Sequence, residues 1–212
     1  MRANLTMPLQ NRVDPFGNIH AVSARGTMMG NRGGRMHDPA TRTLNRRFAS
    51  RRWICCVCEF RGRRREVMGR SYTELFFLDE VTAFAAGHRP CAECRRTDFL
   101  RFTEAWREAF GVASRRIADE IDGVLHDERC ASGSGAAPLS QVRRESALPD
   151  GTMVAQDGQA FAVRDGKFLP WSFDGYAPPS PLIGDVNLLT PPAIVKIFQS
   201  GYVPSFHTSA DF

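Results

Sequence analysis

Residues 75–96 read Leu75-Phe76-Phe77-Leu78-Asp79-Glu80-Val81-Thr82-Ala83-Phe84-Ala85-Ala86-Gly87-His88-Arg89-Pro90-Cys91-Ala92-Glu93-Cys94-Arg95-Arg96. The unbroken apolar run Leu75 to Leu78 predicts a buried strand. Asp79 is a helix N-cap, and Gly87 closes a short helix over 80–86. Pro90 and Cys91 then turn the chain into a longer helix. There Phe99, Phe102, Trp106, Ala109 and Phe110 recur at helical spacing, and Gly111 stops the run. A strand, a helix and a Cys-x-x-Cys knuckle in one stretch point to an α+β chain organised around cysteine.

A second knuckle lies upstream, Cys55-x-x-Cys58, with 32 residues between it and Cys91-x-x-Cys94. Two such knuckles offer four thiolates to one ion, and zinc is the default metal for that donor set. The expected ligands are Cys55, Cys58, Cys91 and Cys94, with unliganded buried thiols as the alternative. Trp53 to Phe60 reads as a strand entering a tight turn. Cys56 is the odd member: Cys55 and Cys56 cannot both serve easily, and the one left over is either an apolar filler or a nucleophile. Cys130 has no such neighbours.

Residues 75–96, and above all Gly87-x-Arg89-Pro90-Cys91-x-x-Cys94, resemble the metal-binding N-terminal domain of the Ada DNA-repair protein. The resemblance covers about residues 52–98. It implies a four-cysteine zinc module that contacts DNA phosphates. It also implies that one zinc-bound cysteine of the first pair, here Cys55 or Cys56, accepts a methyl group from a DNA phosphotriester. The chain departs from that pattern in the tighter spacing of its first pair and in having His88 before Arg89-Pro90. It has no AraC-type helix-turn-helix pair and no Pro-Cys-His-Arg motif.

Outward from this module, Asn18 to Arg25 reads as a short strand leading into a Gly-rich segment, 26–37. The segment is either a surface loop or a substrate- and phosphate-touching loop, with Arg25, Asn31, Arg32, Arg35 and His37 as its candidate residues. Downstream, Ser114 opens a helix with Ile117, Ile121, Val124 and Leu125 on one face. Residues 129–148 read as a linker. Asp157-Gly158, Asp165-Gly166 and Asp174-Gly175 separate short apolar segments and predict a three-stranded antiparallel β-meander. A last helix over 191–200 ends at Gly201. The expected organisation is an N-terminal segment 1–50 packed on the core, a zinc module with two following helices over 51–128, the linker, and a meander plus helix over 149–212.

Charge is divided unevenly. Of 28 basic residues, 26 are Arg. Residues 1–116 hold 22 Arg against 11 acids, whereas residues 117–212 hold 6 basic residues against 12 acids. Arg-rich codon usage explains Arg over Lys but not this reversal. A basic front half suggests a polyanion partner. Arg51, Arg52, Arg61, Arg63, Arg64, Arg65, Arg89, Arg95 and Arg96 crowd the knuckles as candidate phosphate contacts. At 42% hydrophobic with 15 Phe and 3 Trp, the 212 residues can bury a core, which excludes wholesale disorder. No apolar run spans a bilayer and no secretory signal opens the chain, so the expectation is a cytoplasmic protein with no membrane partner.

Three functions compete. The first is a zinc-dependent nucleic-acid-binding protein, with DNA ahead of RNA, in repair or damage response. The second is an enzyme on DNA or nucleotides, with Cys56 and His88 as catalytic candidates beside His20, His37 and Asp38; its alkyl-acceptor form uses the zinc thiolate. The third is a structural zinc adaptor for proteins. Oligomeric state is open.

Overall fold

The computed structural model describes residues 7–63, 66–130, 140–142 and 147–212. It is an α+β fold with four helices and two sheets among the described residues. The first sheet holds β1 (Arg12–Val13), β2 (Ile19–His20), β3 (Met28–Arg32), β4 (Trp53–Val57), β5 (Leu75–Phe77) and β6 (Arg89–Pro90). Its order is β2-β1-β5-β3-β4-β6. Strand β3 lies at the centre, antiparallel to both β4 and β5, while β6 runs parallel to β4.

The Gly-rich segment, 26–37, is therefore only partly a loop. Met28 to Arg32 is a central strand, and Met29 to Arg32 are buried. Gly30 shows why glycine stands there. A Cβ at this position would lie 2.5 Å from the Ile54 carbonyl oxygen and 2.6 Å from the Phe77 ring. Glycine marks a close approach of two strands rather than mobility.

Helix α1 (Glu80–Ala85) follows β5 as expected. Asp79 caps it, accepting from the Thr82 amide at 2.8 Å. The two acids at this helix start also hold the C-terminal part of the chain. Asp79 accepts from the Tyr176 hydroxyl and the His207 amide, both at 2.9 Å. Glu80 accepts from the Tyr202 hydroxyl at 2.9 Å and the Ser205 amide at 2.8 Å. The tail thus docks on the module instead of hanging free.

Helix α2 (Arg96–Phe110) ends at Gly111, whose φ of 64° is left-handed. Helices α3 (Ile117–Cys130) and α4 (Pro192–Gln199) pack with α2 around Phe84, Phe102, Trp106, Ile121, Leu125 and Ile194. Each such side chain, fully buried, contributes about 1.5–3 kcal/mol.

The second sheet contains β7 (Ser140–Val142), β8 (Met153–Gln156), β9 (Gln159–Arg164), β10 (Lys167–Ser172), β11 (Gly175–Tyr176) and β12 (Val186–Leu188), in the order β11-β10-β9-β8-β12-β7. The expected meander is its centre, β8-β9-β10. Asp157 and Gly158 both have positive φ, 50° and 79°, as do Asp165 and Gly166, 49° and 69°. These are the two-residue hairpin turns that Asp-Gly favours. The sheet is wider than a three-stranded meander because β12 and β7 add beside β8 and β11 adds beside β10. Strand β7 falls within the stretch read as linker; residues 131–139 and 143–146 of that stretch lie outside the described residues. One face of the sheet packs Met153, Ala160, Ala162, Leu169 and Trp171 against Leu78, Val81 and Ala85 of the first unit.

Candidate metal centre

Strand β4 sends its side chains alternately to the two faces of the first sheet. Cys55 points into the core with Val13, Leu75, Phe77 and Ala83. Cys56 points to the other face, where it meets Met29 and Cys91. The chain after β6 brings Cys91 and Cys94 to that same face. The Cys91 amide donates to the Cys55 carbonyl oxygen at 2.9 Å, which fastens this knuckle to β4.

The result is a group of three thiols, Cys56, Cys91 and Cys94, whose sulfurs all lie within 4.8 Å of one another. Tetrahedral zinc with Zn–S bonds near 2.3 Å sets sulfurs about 3.8 Å apart, so small shifts suffice to hold an ion. The backbone supports negative sulfur here. The Glu93 amide donates to Cys91 Sγ at 3.4 Å, and the Val57 amide donates to Cys94. Thiol donation from Cys56 and Cys94 pulls the Cys91 pKa down, and the same donation pushes that of Cys56 up. Three close thiols, one with its pKa drawn down by donation from the other two, suit a cation that ionises all three.

This set departs from the expected Cys55, Cys58, Cys91 and Cys94. Cys91 and Cys94 come together as expected, but Cys56 replaces Cys55 because consecutive strand residues face opposite ways. Cys58 is outside the group. A knuckle requires a turn between its cysteines, yet the chain is extended through Val57 and the turn comes only at Arg61 and Gly62, both with positive φ. Cys58 lies just past the end of β4, and its sulfur is not among the three that cluster. Its thiol donates instead to the Thr27 carbonyl oxygen at 3.3 Å.

A cleft of about 290 Å³ opens onto the three thiols. Met29, Ile54, Val57 and Phe60 give it apolar walls; Arg63 and Glu93 stand at its rim. Arg63 pairs with Glu93 at 2.6 Å and lies over Phe60, 5.2 Å from the ring centroid. Sequence reasoning does not single out Phe60, Glu93 or Tyr72, another lining residue. The parity of Ile54 and Cys56 on one strand is the available signal.

The other expected site residues divide clearly. His88 is fully buried and does not line the cleft. Its Nδ1 faces the Ala83 carbonyl oxygen at 3.2 Å, and its Nε2 accepts from Arg32 Nε at 3.4 Å. Burial first, then Arg32 and Arg129, hold its pKa well below 6.5. Its ring packs against Trp53 and Phe77, with centroids 5.2 and 4.7 Å away. Arg89 is buried and bidentate to Asp122, at 2.9 and 2.8 Å. Arg95 is buried between Glu80 at 2.6 Å and Asp98 at 2.7 Å, with Nη1 3.6 Å from Cys55 Sγ. Neither faces solvent to take phosphate. Arg51, Arg52, Arg61, Arg63 and Arg96 are exposed, and Arg52 pairs with Asp119 at 3.2 Å. Arg64 and Arg65 lie outside the described residues.

Of the Gly-rich segment, Arg25 and Arg35 are exposed. Asn31 is buried, bonding the Gly34 and Thr73 carbonyl oxygens, each at 2.9 Å, and lines the cleft. His37 is buried between Thr73 Oγ1 at 2.6 Å and the Gly69 carbonyl oxygen at 2.8 Å. Arg32 is buried as well. His20 pairs with Asp14 at 2.7 Å, and Asp38 closes its own turn on Ala40 and Thr41. No helix among the described residues is long and apolar enough to cross a membrane. Comparison with protein-family models, curated proteins and solved structures finds no match.

Proposed function

We propose that the chain is a zinc protein whose metal is held by Cys56, Cys91 and Cys94, with the fourth position directed into the cleft. The observation that supports this reading is the coincidence of a three-thiol group with an apolar cleft at its mouth. Structural zinc sites close with four protein ligands, whereas sites with three leave a position for a ligand from outside. Zinc would supply ionised, soft sulfur at neutral pH. The chain would supply the rest. Met29, Ile54 and Phe60 exclude water from the approach to sulfur, and backbone amides fix the orientation of Cys91 and Cys94. Arg63 would offer charge to an anionic substituent at the rim.

Replacement of zinc by cobalt tests this. An open three-thiolate site changes its visible spectrum when an outside ligand such as imidazole is added. A spectrum that is four-thiolate in type and insensitive to imidazole would rule the reading out.

Nucleic acid is the partner we propose for this centre, with DNA ahead of RNA, on the strength of exposed Arg51, Arg52, Arg61 and Arg96 around the module. Binding through them would weaken as salt rises. Gel shifts at two salt concentrations check it; absence of a salt slope would count against it. In the alkyl-acceptor form suggested by the Ada resemblance, Cys56 is the candidate nucleophile rather than Cys55. A sulfur–carbon bond would form as the carbon–oxygen bond of a phosphotriester breaks, leaving a phosphodiester anion. The mass of the peptide holding Cys56, after exposure to methylated DNA, reads this directly.

A further inference from the structure

Strand β3 serves a second cleft with its other face. While Met29 and Asn31 line the thiol cleft, Arg32 points the opposite way into a cleft of about 310 Å³. Gly17, Asn18, Asn45, Arg46 and Arg47 surround it there. Arg32 is only 1% exposed, and no carboxylate pairs with it among the described residues. Its guanidinium lies 4.1 Å from the Trp53 ring centroid, with Nη2 donating to the Gly17 carbonyl oxygen at 2.9 Å. Arg129, also without a carboxylate partner among the described residues, lies 3.8 Å from the centroid of the same ring. Asp14, whose charge also acts on Arg32, is already engaged by His20 and by the Asn18 amide at 2.9 Å.

A buried cation without a counter-charge is expensive to maintain. Burial, then Arg129 and Arg47, pull Arg32 down to about 9. The two other buried arginines of the module, Arg89 and Arg95, each have carboxylate partners. Arg47 is exposed at the rim, and Arg46 is held there by its bonds to the Arg35 carbonyl oxygen. We propose that this cleft binds a dianionic phosphate group, either the free ion or the terminal group of a small phosphomonoester. Arg32 would meet it at the floor, Arg47 at the rim and Asn45 at the side. The volume is at the small end of ligand pockets, which fits a compact molecule.

Calorimetric titration of the metal-loaded protein at constant ionic strength tests this, with inorganic phosphate and phenyl phosphate as separate probes. Saturable binding of either is expected; tighter phenyl phosphate identifies the ester, and equal or tighter inorganic phosphate the free ion. Arg47→Gln leaves the fold's buried groups untouched and should weaken binding about tenfold or more. Arg115→Gln removes the same charge at an exposed position outside this cleft and should leave binding unchanged. No saturable binding of either probe, or equal weakening by both substitutions, would overturn the proposal.

Discussion

Asp122→Ala should be among the most damaging substitutions in the chain. Asp122 lies on α3 and Arg89 on β6, and their side chains are 5% and 6% exposed. Two parallel hydrogen bonds join them, and Arg89 also lies 5.3 Å from the Phe99 ring centroid. The pair pins the strand that leads into Cys91 to the helix behind it. Removing the carboxylate strands a guanidinium that has no water to turn to. Breaking one side of such a buried pair costs about 3–5 kcal/mol. For a chain of this length that is a fall of about 6–20 °C in Tm. Urea unfolding is the assay, read as a lower midpoint at unchanged slope. The double substitution Arg89→Met with Asp122→Leu removes both charges and should recover much of the loss, because desolvation and attraction vanish together. A single substitution costing under about 1 kcal/mol would refute the reasoning by placing the pair within the range of exposed ion pairs. A double variant as unstable as Asp122→Ala would refute it too, since the stranded charge would not then be the cause.

Other outcomes follow from the same packing. His88 is neutral when folded but takes a proton when unfolded, so the unfolded state binds more protons below about pH 6.5. Stability should therefore fall with acid by up to about 1.4 kcal/mol per pH unit below that point. His88→Gln should flatten this slope in melts at matched metal content, and an unchanged slope would remove His88 as its source. Gly30→Ala forces a methyl group against the Ile54 carbonyl oxygen and the Phe77 ring. It should cost about 1–3 kcal/mol in urea unfolding, and a neutral result would mean that β3 and its neighbours can part without penalty.

Much of the fold is legible in local signals. The Asp79 cap, the Gly111 stop and the first two Asp-Gly hairpins are short-range chemistry and appear in the structure at their expected positions, while the third turn falls one residue early, at Phe173-Asp174. The Gly-rich segment misleads because glycine has two uses. Local composition cannot separate a mobile turn from a strand whose neighbour, Phe77, comes too close for a Cβ. The metal site is half legible. Cys91 and Cys94 sit in the knuckle that their spacing suggests, but Cys55-x-x-Cys58 is a spacing without the turn that would make it a knuckle. Strand parity, not spacing, selects Cys56. Arg89 and Arg95 mislead for a different reason. Asp122 lies far along the chain from Arg89, and Glu80 lies a whole helix before Arg95. Asp98, three residues on, is a local partner for Arg95, but nothing local to Arg89 distinguishes a buried paired arginine from one waiting for phosphate.

Metal content of single cysteine variants tests the central claim most directly. Cys56→Ser, Cys55→Ser and Cys58→Ser are purified alike, and bound zinc is measured per chain together with its loss to a chelator. The three-thiol centre predicts that Cys56→Ser loses zinc or releases it far faster, while Cys55→Ser and Cys58→Ser keep it at the level of the unaltered chain. Retention of zinc by Cys56→Ser with loss in Cys58→Ser would contradict the account and restore a site built on the other pair.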